Sequence, residues 1–470
     1  MPDFDLDVAV IGGGPGGLAV ALALQRAVKG IKVKVFEKAK KYEPCGAGVA
    51  LAANGCKAIK AICPDLLKEL QDTGVHLTTA FQYDHTGKLL TAAKQDPDAM
   101  QKQWGVGGGV LGWYEIQQAI YERLPAGTVE FGQRFKAYTE DDAGVTLHFE
   151  STAPALRVKV VIGADGYFSG VRAQCLNDGP PTFAGTVMWR GRIPWRDGIL
   201  PPGSSKFFFG AERVGLLYPI NAKRIVWTVS APVAVVRAAG VEFNERDVKL
   251  TASQGTPENK GSKGEQALEN CRKVFAGHAK ELVHVLETAD VESVVEHGIY
   301  TRTGEEIAAA GLGKGRVTLV GDAAHPFRPT GQGLNTGMED AAELAWYIQQ
   351  QGLTAEALRA YEAARLPRMV RLAEHTSNQG ASAYKKTGKE AVRFSANGLD
   401  ANADYEQFLY GRNFHALQPA GGAGFLEQVK SRPVTVASAV LAAIGAGVVV
   451  GLGFKRRRER PVDVHVTPAH

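Results

Sequence analysis

The stretch Asp7-Val-Ala-Val-Ile-Gly12-Gly-Gly14-Pro15-Gly16-Gly17-Leu18 decides the fold. Asp7 to Ile11 is a short apolar strand, and Leu18 to Val28 continues with helical character. Between them Gly12, Gly14 and Gly17 fall at the G-x-G-x-x-G spacing. Gly12 allows the tight turn off the strand, Gly14 lets the backbone approach a diphosphate, and Gly17 lets the helix pack close to the sheet. The diphosphate would lie on the unpaired N–H groups and positive dipole end of that helix, over Pro15 and Gly16. A second strand, Lys32 to Phe36, ends at Glu37, where a carboxylate accepts hydrogen bonds from a ribose diol, with Lys38 beside it. Strand, glycines, helix and acid together predict a dinucleotide site; they leave open whether the dinucleotide is NAD or FAD.

Working outward, the 470 residues exceed one simple core, so two domains with appendages are expected. The composition, 45% hydrophobic and 22% charged, is that of a globular protein. The net charge of +5 comes from scattered residues apart from Lys455-Arg-Arg-Arg458, which argues against nucleic acid as a partner. Five cysteines without a C-x-x-C pair suggest packed free thiols, with no disulfide framework and no metal site. Neither a metal-ligand cluster nor a Ser-His-Asp triad is found.

Two further segments bear on the same site. Ile162-Gly-Ala-Asp165-Gly166-Tyr-Phe-Ser169-Gly-Val-Arg172 ends a buried-type strand in an Asp-Gly turn. Gly321-Asp322-Ala-Ala-His325-Pro is followed by Pro329-Thr-Gly331-Gln332-Gly333-Leu334-Asn335. It places an acid at the carboxyl end of an apolar strand, and then a glycine turn that opens a helix. Between these segments, residues 180 to about 300 carry strand runs rich in aromatic and β-branched residues, read as a mostly antiparallel sheet.

With these three marks in order, the sequence resembles the flavoprotein aromatic hydroxylases, single-component FAD monooxygenases that include salicylate and p-hydroxybenzoate hydroxylases. Phe36-Glu-Lys, Gly46-Ala-Gly-Val and Ile116-Gln-Gln-Ala-Ile120 are most similar to segments of salicylate hydroxylases and zeaxanthin epoxidase. The resemblance implies an α/β fold, in which a Rossmann-like FAD-binding domain carries an inserted β substrate domain. The expected division is 1–175 for the first part of the FAD domain, with short substrate-domain strands near 76–112, 176–300 for the substrate domain, 301–380 for the second part of the FAD domain, and 381–433 for an extension. It implies non-covalent FAD, with Glu37 on the adenosine ribose, Asp322 on the ribityl chain, and the Asp165-Gly166 segment with Arg172 associated with FAD and NAD(P)H. Gly331, Gln332, Gly333, Leu334 and Asn335 would complete the cofactor site. The implied cycle uses NADPH or NADH, adds O2 to the reduced flavin and delivers one oxygen from a flavin hydroperoxide to an aromatic or lipophilic ring. Pro329 would shape the oxygen site. His325 reads either as a weak acid–base candidate or as structural. Trp189, Arg190, Arg192 and Tyr218 read either as substrate contacts or as sheet packing. A flavin dehydrogenase, cyclase or halogenase of the same fold is the alternative among enzymes, and a non-catalytic FAD-binding membrane partner the alternative outside them. One departure stands out. Trp113 occupies the place where the family usually has an arginine, and an indole makes no bidentate phosphate contact.

Val434 to Phe454 is a run of 21 uncharged residues, about 31 Å long as a helix, followed by a basic tail at 455–470. It predicts a single-pass C-terminal membrane anchor with the catalytic domain on the cytosolic side and lipid as a partner. Ala439, Ala443, Gly447 and Gly451 at four-residue spacing suggest a homodimer through that helix.

Overall fold

The computed structural model describes residues 4–44, 48–151, 154–244, 260–383 and 403–418. Its centre is an eight-stranded sheet built on the strand Leu6–Ile11. That strand pairs in parallel with Leu156–Gly163 on one side and Val33–Glu37 on the other, with Val8 opposite both Val160 and Val33. Val317–Leu319 and Val129–Phe131 extend the parallel order outward. These strands read as unbroken apolar runs because both faces are covered. Val8, Val10, Val160 and Ile162 meet the helices Pro15–Ala27, Ala53–Ile62 and Gly333–Gln351. The alternate residues Ala9, Ile11 and Val161 meet the other face, where Met369 and Leu372 of the helix Ala355–Ala383 and Tyr405 and Leu409 of Ala403–Tyr410 lie.

The second sheet has seven strands in the order Val295–Thr301, Thr182–Pro194, Arg224–Pro232, Arg213–Asn221, Ser204–Gly210, Thr79–Asp84 and Leu89–Lys94. All its pairings are antiparallel except that of Ser204–Gly210 with Thr79–Asp84. Its two faces divide by residue parity, as a pleated strand requires. Val187, Trp189, Phe208, Leu217, Trp227 and Val229 point into a core closed by the helices Lys260–Val274 and Lys280–Glu287. Met188, Arg190, Phe207, Leu216, Tyr218, Thr228 and Ser230 face the other way and line a cavity. Four cysteines, Cys56, Cys63, Cys175 and Cys271, are buried free thiols; Cys45 lies outside the described residues.

The predicted membrane anchor is corrected. No helix among the described residues is long and apolar enough to cross a membrane, and 434–454 lie outside the described residues. The prediction rested on the length of one run, about half of which is Ala, Gly, Ser or Thr. Such residues add little to bilayer partitioning beside Leu, Ile, Val and Phe. No membrane location, lipid partner or helix-mediated dimer is therefore assigned.

Candidate active site

The glycine-rich turn divides its glycines between two jobs. Gly12 has φ 109°, and a Cβ there would stand 2.3 Å from the Ala164 carbonyl oxygen; one on Gly17 would stand 2.1 Å from the Gly12 carbonyl. These two are required by the fold. Gly14 caps the helix Pro15–Ala27, Pro15 follows at its first position, and no side chain caps the end. A Cβ on Gly14 would meet only Trp113 Cζ2, at 3.9 Å, and one on Gly16 would meet nothing within 4 Å. The helix end therefore opens on empty space. Glu37 is held at its edge, accepting from the Gly13 N–H at 2.8 Å and from the Ala39 N–H at 2.8 Å. Lys38 lines the same space, and burial lowers its pKa below the usual lysine value.

Asp165 and Gly166 stand at the end of the neighbouring strand and also line the cavity. The Asp165 carboxylate is turned into its own loop, accepting from Ser169 Oγ at 2.5 Å and from the Gly170 N–H at 2.8 Å. Burial raises its pKa, and the Ser169 bond opposes the rise. Arg172 does not reach the cavity. Its Nε and Nη2 donate to Asp178 at 2.9 and 2.6 Å, and its Nη1 donates to the Ala324 carbonyl at 2.6 Å. It fastens this loop to the one that carries Asp322.

Val317–Leu319 leads into a short turn, Gly321–Ala323, that presents Asp322 to the cavity. Burial pushes the Asp322 carboxyl up to about 6; Asp340 raises it further, while His325 and Arg190 lower it. Pro329, Gly331, Gly333 and Leu334 line the cavity beyond it. Gln332 and Asn335 turn away. Gln332 Oε1 accepts from Asn54 Nδ2 at 3.0 Å, while Asn335 accepts from the Ala52 N–H at 2.9 Å and donates to the Ala50 carbonyl at 3.0 Å. These two brace the start of the helix Gly333–Gln351 against the helix Ala53–Ile62 and the residues just before it. His325 is fully buried, with Nε2 2.6 Å from Asp340 Oδ2 and its ring stacked on Phe327. It does not line the cavity, so the acid–base reading gives way to the structural one.

Behind this wall lies a buried ionic network that the sequence reading missed. Glu339 and Asp340 are adjacent on one helix and point to different loops. Asp340 accepts from the Gly321 N–H at 2.8 Å as well as meeting His325. Glu339 accepts from Asn54 at 2.6 Å, and Asn54 holds Gln332. Arg365 is fully buried between the two acids, 2.8 Å from each, and Arg368 donates to Glu339 at 2.6 and 2.7 Å. Arg368 and Arg365 hold the Glu339 carboxyl down, and His325 and Arg365 the Asp340 carboxyl, each to about 2, against the burial that would raise them.

The cavity measures about 960 Å³ and runs without a break from Gly14 and Glu37, past Asp322 and Pro329, to the second sheet. It lies near the upper end of the roughly 300–1,000 Å³ of small-molecule sites. Arg190 and Tyr218 line its far wall. The Tyr218 hydroxyl donates to the Gly48 carbonyl at 3.1 Å, and burial raises its pKa. The Arg190 Nε is buried without a hydrogen-bond partner among the described residues. Trp189 and Arg192 do not line the cavity. Trp189 is on the opposite face of the strand, fully buried, donating to Glu296 at 2.6 Å; Arg192 lies beyond the cavity, its Nε 3.8 Å from Asp290.

An open helix end, a fixed carboxylate at the second strand and a long cavity fit a flavin dinucleotide and define a flavoprotein. A family profile described as FAD binding domain matches residues 269–376, and one described as NAD(P)-binding Rossmann-like domain matches 10–49. The chain is 30% identical over 374 residues to a 3-amino-4-hydroxybenzoate 2-monooxygenase of Streptomyces cremeus, covering 78% of this chain and 85% of that one. A 6-hydroxynicotinate 3-monooxygenase of Bordetella bronchiseptica is 29% identical, with 78% and 89% covered. An FAD-dependent urate hydroxylase of Klebsiella pneumoniae is 28% identical, with 77% and 86% covered. The crystal structure of Klebsiella pneumoniae HpxO complexed with FAD and uric acid shares the fold, with a TM-score of 0.67 at 22% identity over 91% of this chain and 97% of that one. The chain belongs to the FAD-dependent aromatic monooxygenases. It is an oxidoreductase with FAD as cofactor and NAD(P)H as co-substrate.

Proposed function

We propose that this protein inserts one oxygen atom of O2 into an electron-rich aromatic ring, by hydroxylation or epoxidation, in the part of the cavity walled by the second sheet. The observation that carries this reading is the continuity of the cavity, which brings Asp322 and Pro329 of the cofactor domain and Arg190 and Tyr218 of the second sheet around one space. In this reading residues 1–175 and 301–380 form the cofactor domain, apart from the short strands near 76–112, which join 176–300 in the substrate domain. Bound FAD supplies the redox chemistry, taking a hydride equivalent from NAD(P)H and activating O2.

The chain supplies the rest. The N–H groups of the first helix turn and the bare backbone at Gly14 and Gly16 receive the diphosphate. Glu37, fixed by two backbone N–H groups, accepts from the adenosine ribose, and Asp322 accepts from the ribityl chain. Pro329, Gly331 and Gly333 present a flat wall without polar side chains to the ring system. Met188, Phe207, Leu216 and Ile299 exclude water from the reacting end. Arg190 stabilises an acidic substituent or the phenolate form of the substrate, and the un-ionised Tyr218 hydroxyl holds the Gly48 edge in place.

Asp322→Ala is expected to weaken FAD by about 1–3 kcal/mol, the usual cost of a lost buried polar partner. Equilibrium dialysis of flavin measures it, and an unchanged dissociation constant removes Asp322 from the ribityl contact. The reading as a whole is tested by following NAD(P)H oxidation, O2 uptake and product mass with a panel of phenols, ring acids and N-heteroaromatics. A substrate that stimulates NAD(P)H oxidation and gains one oxygen atom supports it; two-electron dehydrogenation without oxygen gain defeats it. Arg190→Met is expected to raise KM for ring acids about tenfold or more while leaving flavin content unchanged.

A further inference from the structure

The open helix end at Gly14 has one neighbour. Among the described residues outside the turn and its own helix, Trp113 Cζ2 alone comes within 4 Å of the place where a Gly14 Cβ would stand, and Gly16 has no such neighbour. Trp113 begins the helix Trp113–Tyr121, and Gln117 one turn later donates to the Gly13 carbonyl at 2.8 Å. The indole is thus held at the mouth of the first helix. Of the cations that line the same cavity, Lys41 pairs with the lining residue Glu43 at 3.3 Å and Arg134 with the lining residue Glu150 at 3.3 Å, Arg328 donates to the Ala184 carbonyl at 2.7 Å, and Arg190 stands at the far wall on the second sheet. Lys38 lies in the field of Glu37 and Asp165.

We propose that this chain holds the diphosphate of its cofactor with neutral donors, the N–H groups of the first helix turn and the Trp113 indole N–H, and without an ion pair, so that FAD is readily exchanged and its affinity is nearly insensitive to salt. This rests on the cavity being the FAD site and is independent of which ring is oxidised. A charge-assisted hydrogen bond is about twice as strong as a neutral one, and a cation–diphosphate pair in an open cavity is screened as the Debye length falls from about 30 Å at 0.01 M to about 3 Å at 1 M salt. A site built on neutral donors lacks both properties, and an arginine at position 113 would supply them.

The experiment is reconstitution of apoprotein with FAD, followed by flavin fluorescence at low and high KCl. The wild-type dissociation constant is expected to change less than about twofold across that range. Trp113→Arg is expected to bind FAD about tenfold more tightly at low salt and to lose most of the gain at high salt. Trp113→Lys gains part of this, having a point charge but no planar fork, and Trp113→Ala weakens binding several-fold through the lost donor. Severalfold weakening of wild-type binding by salt overturns the proposal, and so does a folded Trp113→Arg or Trp113→Lys that binds no more tightly. If FAD binds as expected and no ring is oxygenated, the functional reading fails alone; if a ring is oxygenated and FAD is salt-sensitive, this inference fails alone.

Discussion

Gly14→Val is expected to yield a folded, colourless protein whose affinity for FAD is lower by at least about a hundredfold, ~2.8 kcal/mol. Gly14 has φ −67° and ψ 170°, extended backbone that a β-branched residue adopts without strain. A Cβ there would touch only Trp113 Cζ2, at the ordinary contact distance of 3.9 Å. The methyl groups of valine would project into the space that a diphosphate needs, and they would cover the N–H groups of the first helix turn. Gly12→Ala is the contrasting variant. Its φ of 109° and the Ala164 carbonyl 2.3 Å from the new Cβ make it a lesion of folding. Flavin content after purification, titration with FAD and far-UV circular dichroism separate the two. A Gly14→Val protein that retains stoichiometric flavin would show that the helix end is not where the diphosphate lies.

The second large effect lies behind the cavity wall. Arg365→Met leaves Glu339 and Asp340 buried with half their compensation gone, and breaking a buried pair in this way costs about 3–5 kcal/mol. The pH dependence follows from the same acids. Both carboxyl groups are held to about 2 in the native protein, below the usual unfolded values near 4. Their contribution to stability is therefore present above about pH 4 and is lost as pH falls towards 2. In the variant they bind protons at higher pH, so the gap in unfolding free energy between wild type and variant should narrow on acidification. Urea unfolding at a series of pH values measures it. A gap below about 1 kcal/mol at neutral pH would mean that the arginine is dispensable, and a larger gap independent of pH that it does not act through these two acids.

Much of this molecule was legible before its structure. The central strands announced themselves as apolar runs because both faces are covered, and the glycine spacing marked the turn that opens the first helix, although that helix starts at Pro15 and not at Leu18. Other readings failed for reasons of direction. Arg172, Gln332 and Asn335 belong to the marks of the site, yet each turns its side chain into the wall; a motif records what surrounds a site without saying which side chains enter it. Trp189 and Arg190 read alike in the sequence, each either as a substrate contact or as sheet packing, although consecutive residues of a strand point to opposite faces. That signal was available and allowed only one of the two. The Glu339–Arg365 network was out of reach, since its members come from separate segments and meet only when the two helices are packed. The predicted anchor rested on the length of a single run, and nothing in the described fold answers to it.

The parity of the second sheet has a consequence for descent. One set of residues in its strands, Val187, Trp189, Phe208, Leu217, Trp227 and Val229, builds the core, while the interleaved set, among them Met188, Phe207, Leu216, Thr228 and Ser230, lines the cavity. A substitution in the second set alters the shape offered to a ring and leaves the first set untouched. The two sets can accumulate changes on separate clocks. A lineage built on such a sheet can trade one aromatic diet for another by small steps, none of which passes through an unfolded ancestor.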